Sequence, residues 1–136
     1  MKIIECVPNF SEGRDLSLIK QITDSMESVG GITLLDVDPG ADTNRTVVTI
    51  VGDPESVIES AFLGIKKASE LIDMQKHRGA HARMGATDVC PFVPISEASM
   101  DDCVIYSKQL AKKVGMELKI PVYLYEFSAT SKDRVN

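Results

Sequence analysis

The chain has 136 residues, 43% hydrophobic and 26% charged, with a formal net charge of −5. That balance suits one compact domain and excludes a disordered chain, because no long segment combines low hydrophobicity with high charge. The acidic surplus weighs against nonspecific nucleic-acid binding, which needs a basic surface to displace counterions.

The opening Met1-Lys2-Ile3-Ile4-Glu5 is not a signal peptide, since Glu5 breaks its apolar run at once. No apolar run approaches the length of a membrane span. Cys6, Cys90 and Cys103 are odd in number and widely spaced, with no C-x-x-C pair. Neither a zinc ribbon nor a thioredoxin-like motif is readable, and a reducing cytoplasm is expected.

Residues 3–7 read as a short apolar strand stopped by Pro8-Asn9. Leu16, Ile19, Ile22, Met26 and Val29 then recur at helical spacing, and Gly30-Gly31 is expected to end that helix. Residues 32–37 read as a second strand. A polar loop over residues 38–44 leads into a third, β-branched strand at residues 46–51, in a hairpin-like connection. Asp53-Pro54-Glu55 is a helix start, with a capping carboxylate, a proline at the first helical position and an acid near the positive end of the dipole. Val57, Ile58, Ala61, Ile65, Ala68, Leu71 and Ile72 supply its buried face.

After a basic, glycine-punctuated loop over residues 76–87, residues 89–95 read as a fourth strand. Pro91 and Pro94 make it an edge or irregular strand. Ser99 caps a third helix whose apolar face includes Val104, Leu110, Ala111 and Val114. Residues 121–127 read as a last strand, and the polar tail from Ser128 is expected to fray. The expected fold is therefore α/β, an α+β sandwich with a ferredoxin-like βαββαβ core plus an additional helix and strand.

The chemistry concentrates in Lys76-His77-Arg78-Gly79-Ala80-His81-Ala82-Arg83-Met84-Gly85, which holds both histidines and no carboxylate. A free imidazole titrates near about 6.5, and neighbouring cations favour its neutral, proton-accepting form. The same cations attract anionic small molecules. The bland alternative is a solvated basic connection. Two histidines four apart can also hold a metal, but Gly79 argues against a regular helix and the H-E-x-x-H pattern is absent.

Strand alternation puts Asp36 and Asp38 on one face, with Asp38 at the strand end. Asp38 is a candidate for orienting a histidine or pairing with a substrate amine, against a bland role in the turn. Asp42 and Asn44 fit turn chemistry. Asn9 and Ser11, between strand and helix, fit turn and helix-start roles, with substrate contact as the alternative. Cys6 and Cys90 lie in apolar patterns where thiols are usually inert. Tyr123 and Tyr125 share a sheet face and fit packing roles.

Three segments together resemble the glutamate formiminotransferase family. They are Glu5-Cys6-Val7-Pro8-Asn9-Phe10-Ser11-Glu12-Gly13, then Asp36-Val37-Asp38-Pro39-Gly40 with Thr43-Asn44-Arg45-Thr46, then His81-Ala82-Arg83-Met84-Gly85-Ala86-Thr87-Asp88-Val89-Cys90-Pro91-Phe92. Pro121-Val122-Tyr123-Leu124-Tyr125 fits as well. The resemblance implies transfer of a formimino group from N-formimino-glutamate to tetrahydrofolate in histidine breakdown, with a formyl donor in some relatives. It implies two ferredoxin-like subdomains with folate in a charged channel between them, tetrahydrofolate as co-substrate and no metal.

The family's catalytic histidine falls on His81, as a general acid and base. Asp38 joins it, either orienting the imidazole or holding the formimino group. Arg45 and Arg83 are candidate partners for substrate carboxylates, and Asn9, His77 and Gly85 are further candidate substrate contacts. By this likeness residues 1–136 correspond to the N-terminal subdomain, ending short of its C-terminal part. A noncatalytic folate- or anion-binding module, or a partner subunit completing another chain, is the alternative function. A sheet left uncovered by a missing half is expected to self-associate into a homodimer or larger assembly.

Overall fold

The computed structural model describes residues 1–72 and 87–118. Its elements are β1 (Ile3–Cys6), β2 (Asn9–Phe10), α1 (Leu16–Glu27), β3 (Ile32–Gly40), β4 (Arg45–Gly52), α2 (Pro54–Leu71), β5 (Thr87–Val89), β6 (Phe92–Ser96) and α3 (Met100–Glu117). The expected strand over residues 121–127 lies outside the described residues.

The six strands form one antiparallel sheet, and they follow four lines of chain. β1 and β2 both pair with β4, β6 pairs with β1, and β5 pairs with β2. β3 pairs with the other side of β4. In chain order of the four lines, the spatial order is second, third, first, fourth, which is the ferredoxin-like arrangement.

Two lines are broken where one strand was expected at each, and the breaks lie side by side. Pro8 and Pro91 have no amide hydrogen to give to a ladder. The gap is bridged by backbone bonds: Val7 N donates to Pro91 O, and Val48 N donates to Pro8 O, both at 3.0 Å. The line continues across the break instead of ending at Pro8, so Asn9 is a strand residue rather than a helix-start residue.

β3 is three residues longer than its apolar pattern indicates. Asp38, Pro39 and Gly40 pair with Val47, Thr46 and Arg45, leaving the turn to residues 41–44. Pro39 is tolerated because β3 has β4 as its single neighbour among the described residues. Asn44 takes φ 55° in that turn, a conformation short polar side chains accept. Its Oδ1 accepts from Gly13 N at 2.9 Å.

All three helices pack on one face. Alternation in β4 sends Thr46, Val48 and Ile50 into this side, joined by Ile4, Cys6 and Phe10. Opposite them lie Ile22 and Met26 of α1, Val57, Ala61 and Ile65 of α2, and Leu110 and Val114 of α3. On α1 the expected Leu16 stands 64% exposed and Leu18 packs on the core in its place, because the stripe rotates from the first turn. On α3 the buried line runs Cys103, Ser107, Leu110, Ala111 and Val114, with Val104 only half-buried. α1 closes at Ser28, two residues before the glycines. Gly31 supplies the left-handed residue (φ 96°) that turns the chain into β3.

The helix starts follow their local signals. Asp15 caps α1, Asp53 caps α2, and Ser99 with Asp102 forms a reciprocal capping box on α3. Hydrogen bonds from Ser56 hold the Asp53 carboxyl below the usual carboxylate range. A carboxyl whose folded pKa lies below its unfolded value of about 3.9 stabilises the fold above that pH. That stabilisation disappears as pH falls through the folded pKa. Asp53→Asn keeps a capping oxygen. It is therefore expected to leave the Tm at pH 7 little changed and to flatten the fall of Tm below about pH 4. Thermal melts of the two proteins between pH 7 and pH 2 check this, and identical acid limbs would contradict it.

Candidate functional site

The second face of the sheet carries none of the described helices. Alternation places Ile3 and Glu5 of β1, Asn9 of β2, and Arg45, Val47, Thr49 and Val51 of β4 on it. Register adds Asp36 opposite Thr49 and Asp38 opposite Val47, which confirms that the two aspartates share a face. Val93 of β6 joins opposite Glu5. Val93 is 39% exposed, and Ile95 of the same strand 54%.

Three of the candidate residues meet at one end of this face. Val47 pairs with Asn9 on one side and with Asp38 on the other. Two strand spacings put the Asn9 and Asp38 backbones about 10 Å apart. Arg45 lies one step further along β4, opposite Gly40. An acid and a guanidinium from the β3–β4 hairpin thus meet an amide from β2, about thirty positions earlier in the chain. The Asn9 side chain is oriented from within its own segment, Nδ2 donating to Val7 O at 3.1 Å.

The segment between Phe10 and α1 is locked to this end of the sheet. Thr46 Oγ1 donates to Glu12 O at 2.5 Å. The Glu12 carboxylate accepts from Arg14 N at 3.0 Å and from Asp15 N at 2.9 Å. Gly13 runs against the hairpin so closely that a Cβ would overlap Gly40 O and stand 2.6 Å from Arg45 N. A residue with a side chain there would push the Arg45 end of the site outward.

His77, His81, Arg83 and Gly85 lie outside the described residues, as do Lys76 and Arg78. The described chain resumes at Thr87, which pairs with Phe10, next to Asn9. Tyr123 and Tyr125 also lie outside the described residues.

The cysteines face the other way. Cys6 and Cys90 are fully buried on the helix side, their sulfurs 3.2 Å apart. Burial, then the contact with Cys90, pushes the Cys6 thiol well above its ordinary value. A protonated, sealed thiol is not a nucleophile, in line with the inert role expected for it. An open groove of about 430 Å³ between the chain start, the start of α2 and α3 is lined by Lys2, Asp53, Glu55 and Tyr106 among others. It lies on the helix side of the sheet. None of the described helices is long and apolar enough to cross a membrane.

Sequence reasoning missed Glu5 as a residue of the open face. The signal was present in the alternation of residues 3–6, but only the pairing of β1 between β4 and β6 shows that it stands mid-sheet.

Residues 3–136 match the family model described as the formiminotransferase domain, N-terminal subdomain. The chain belongs to the formiminotransferase family. Glutamate formimidoyltransferase of Streptococcus pyogenes serotype M1 is 53% identical over 135 residues, covering 99% of this chain and 45% of that protein. Formimidoyltransferase-cyclodeaminase of Dictyostelium discoideum is 51% identical over 133 residues, covering 98% of this chain and 25% of that protein. Glutamate formimidoyltransferase of Thermoplasma acidophilum is 49% identical over 134 residues, covering 98% and 44%. The chain thus spans less than half the length of these relatives.

Proposed function

We propose that this chain forms the N-terminal part of a glutamate formiminotransferase, which moves a formimino group from N-formimino-glutamate to tetrahydrofolate in histidine degradation. The observation that carries the proposal is near-complete coverage at about half identity by relatives whose names state formimidoyl transfer. The gathering of Asn9, Asp38 and Arg45 on the sheet face that none of the described helices covers supports it. A wall of that kind needs a second wall to enclose a substrate, and a second ferredoxin-like half in the same polypeptide would supply one.

His81 acts in this scheme as the proton carrier. The accepting nitrogen of tetrahydrofolate loses a proton as it takes up the formimino carbon, and the departing glutamate nitrogen gains one. A single imidazole serves both transfers in turn. Asp38 orients that imidazole or holds the formimino group. Arg45 and Arg83 hold substrate carboxylates, where a planar guanidinium offers two parallel donors. Asn9, His77 and Gly85 complete the substrate contacts. No step calls for a metal, and the chemistry belongs to the cytoplasm, where reduced folate and free thiols coexist.

The test is a direct assay of the full-length protein with N-formimino-glutamate and tetrahydrofolate, reading release of glutamate. Folate-dependent release is expected. No release would overturn the transfer reading, and folate binding without release would favour a noncatalytic module or a partner subunit instead. Exposed Val93 and Ile95, on a sheet face that none of the described helices covers, also support self-association. Light scattering of the same preparation is expected to give a homodimer or larger, and a monomer at high concentration would contradict that.

A further inference from the structure

We infer that Glu5 is a substrate-recognition residue of this face, accepting two hydrogen bonds from the amino-pyrimidinone edge of the reduced pterin. The inference rests on the folate-site reading above and names a contact within it.

Glu5 stands on β1, between β4 and β6, with Val51 directly opposite on one side and Val93 on the other. Along its own strand the next residue on that face is Ile3. A carboxylate is disfavoured at such a mid-sheet position, where β-branched and aromatic residues pack best. Its three nearest face neighbours are indeed aliphatic. Among the described residues Glu5 makes no hydrogen bond or ion pair; Glu27, Glu55 and Glu117 share that, but they stand exposed on or beside helices, whereas Glu5 is half-buried in mid-sheet. A side chain that breaks the local pattern without a compensating contact marks a functional position.

The chemistry selects the ligand group. A planar carboxylate accepts two parallel N–H donors from an amidine-like edge. Both proposed substrates carry such donors: the ring N–H and amino group of the pterin, and the formimino group of N-formimino-glutamate. Position decides between them. Val51, opposite Glu5, is six residues along β4 from Arg45. At strand rise this separates the Glu5 row from the guanidinium end by about 20 Å. The face thus carries Glu5 among aliphatic neighbours in one row and Arg45, with Asp38 beside it, at the far end. A long molecule with a donor-rich ring at one end and carboxylates at the other matches it, as a folate does. N-formimino-glutamate is too short to reach both.

The experiment is calorimetric titration of the full-length protein, as parent, Glu5→Gln and Glu5→Asp, with 5-formyltetrahydrofolate and separately with N-formimino-glutamate. Glu5→Gln is expected to raise the Kd for the folate about 10- to 100-fold, the range of a charge-assisted pair. The Kd for N-formimino-glutamate should stay within about twofold, and Glu5→Asp should recover part of the folate affinity. Unchanged Tm values keep the effect apart from folding. Normal folate binding by Glu5→Gln overturns the inference, as does equal weakening of both ligands or weakening of N-formimino-glutamate alone. A parent protein that binds no folate overturns it together with the folate-site reading. A parent that binds folate through Glu5 but transfers nothing leaves the inference standing and removes the transferase reading. A parent that transfers normally while Glu5→Gln binds normally removes Glu5 alone.

Discussion

His81→Ala is expected to slow formimino transfer by about 10²- to 10⁴-fold, the usual contribution of a positioned general acid and base. The effect should fall on kcat more than on KM, because the proposed proton transfers occur in the reaction itself and not in binding. His81 lies outside the described residues, which resume six positions later at Thr87. Added imidazole should restore part of the lost rate by occupying the space left by the ring. The check is steady-state kinetics of parent and variant at matched Tm. A kcat within threefold of the parent would take His81 out of the reaction.

Phe10→Ala is expected to destabilise the fold by about 3–5 kcal/mol, the usual cost of emptying a buried aromatic site. A domain of this size has about 5–15 kcal/mol in all, so the variant stands near unfolding at 37 °C. Phe10 is 1% exposed and sits on β2, where the sheet meets α1 and α2. Gly64 of α2 is shaped around it: a Cβ there would lie 3.2 Å from Phe10 Cζ and 2.8 Å from Met26 Sδ. The helix approaches too closely for either neighbour to spread into the vacated volume without moving the other. Urea denaturation of the two proteins measures the loss, and a value below about 1 kcal/mol would show that the site collapses freely. Because β2 also carries Asn9, the variant should weaken folate binding more than its stability loss alone explains.

The fold and the site were legible to different degrees, for reasons visible in single residues. Asp53-Pro54 and Ser99 mark their helix starts because a cap is a bond within four residues of chain. The β-branched run of β4 marks a strand for the same local reason. Asp38-Pro39-Gly40 carries turn residues and reads as a turn, yet it continues β3 because Val47, Thr46 and Arg45 are there to pair with it. Asn9 follows a proline and reads as a strand stop, yet Val47 and Val89 hold it in the sheet. Leu16 fits the helical period and still faces solvent.

What the amino-acid order determined by itself is the succession of helices and strands, the caps, the inert cysteines and the formiminotransferase likeness, all written in neighbouring residues. What only the tertiary structure decided is which sheet face the described helices leave open and which residues share it. Asn9, Asp38, Arg45 and Glu5 become one surface through strand register, and register depends on partners up to about ninety positions away in the chain. No local pattern contains that distance.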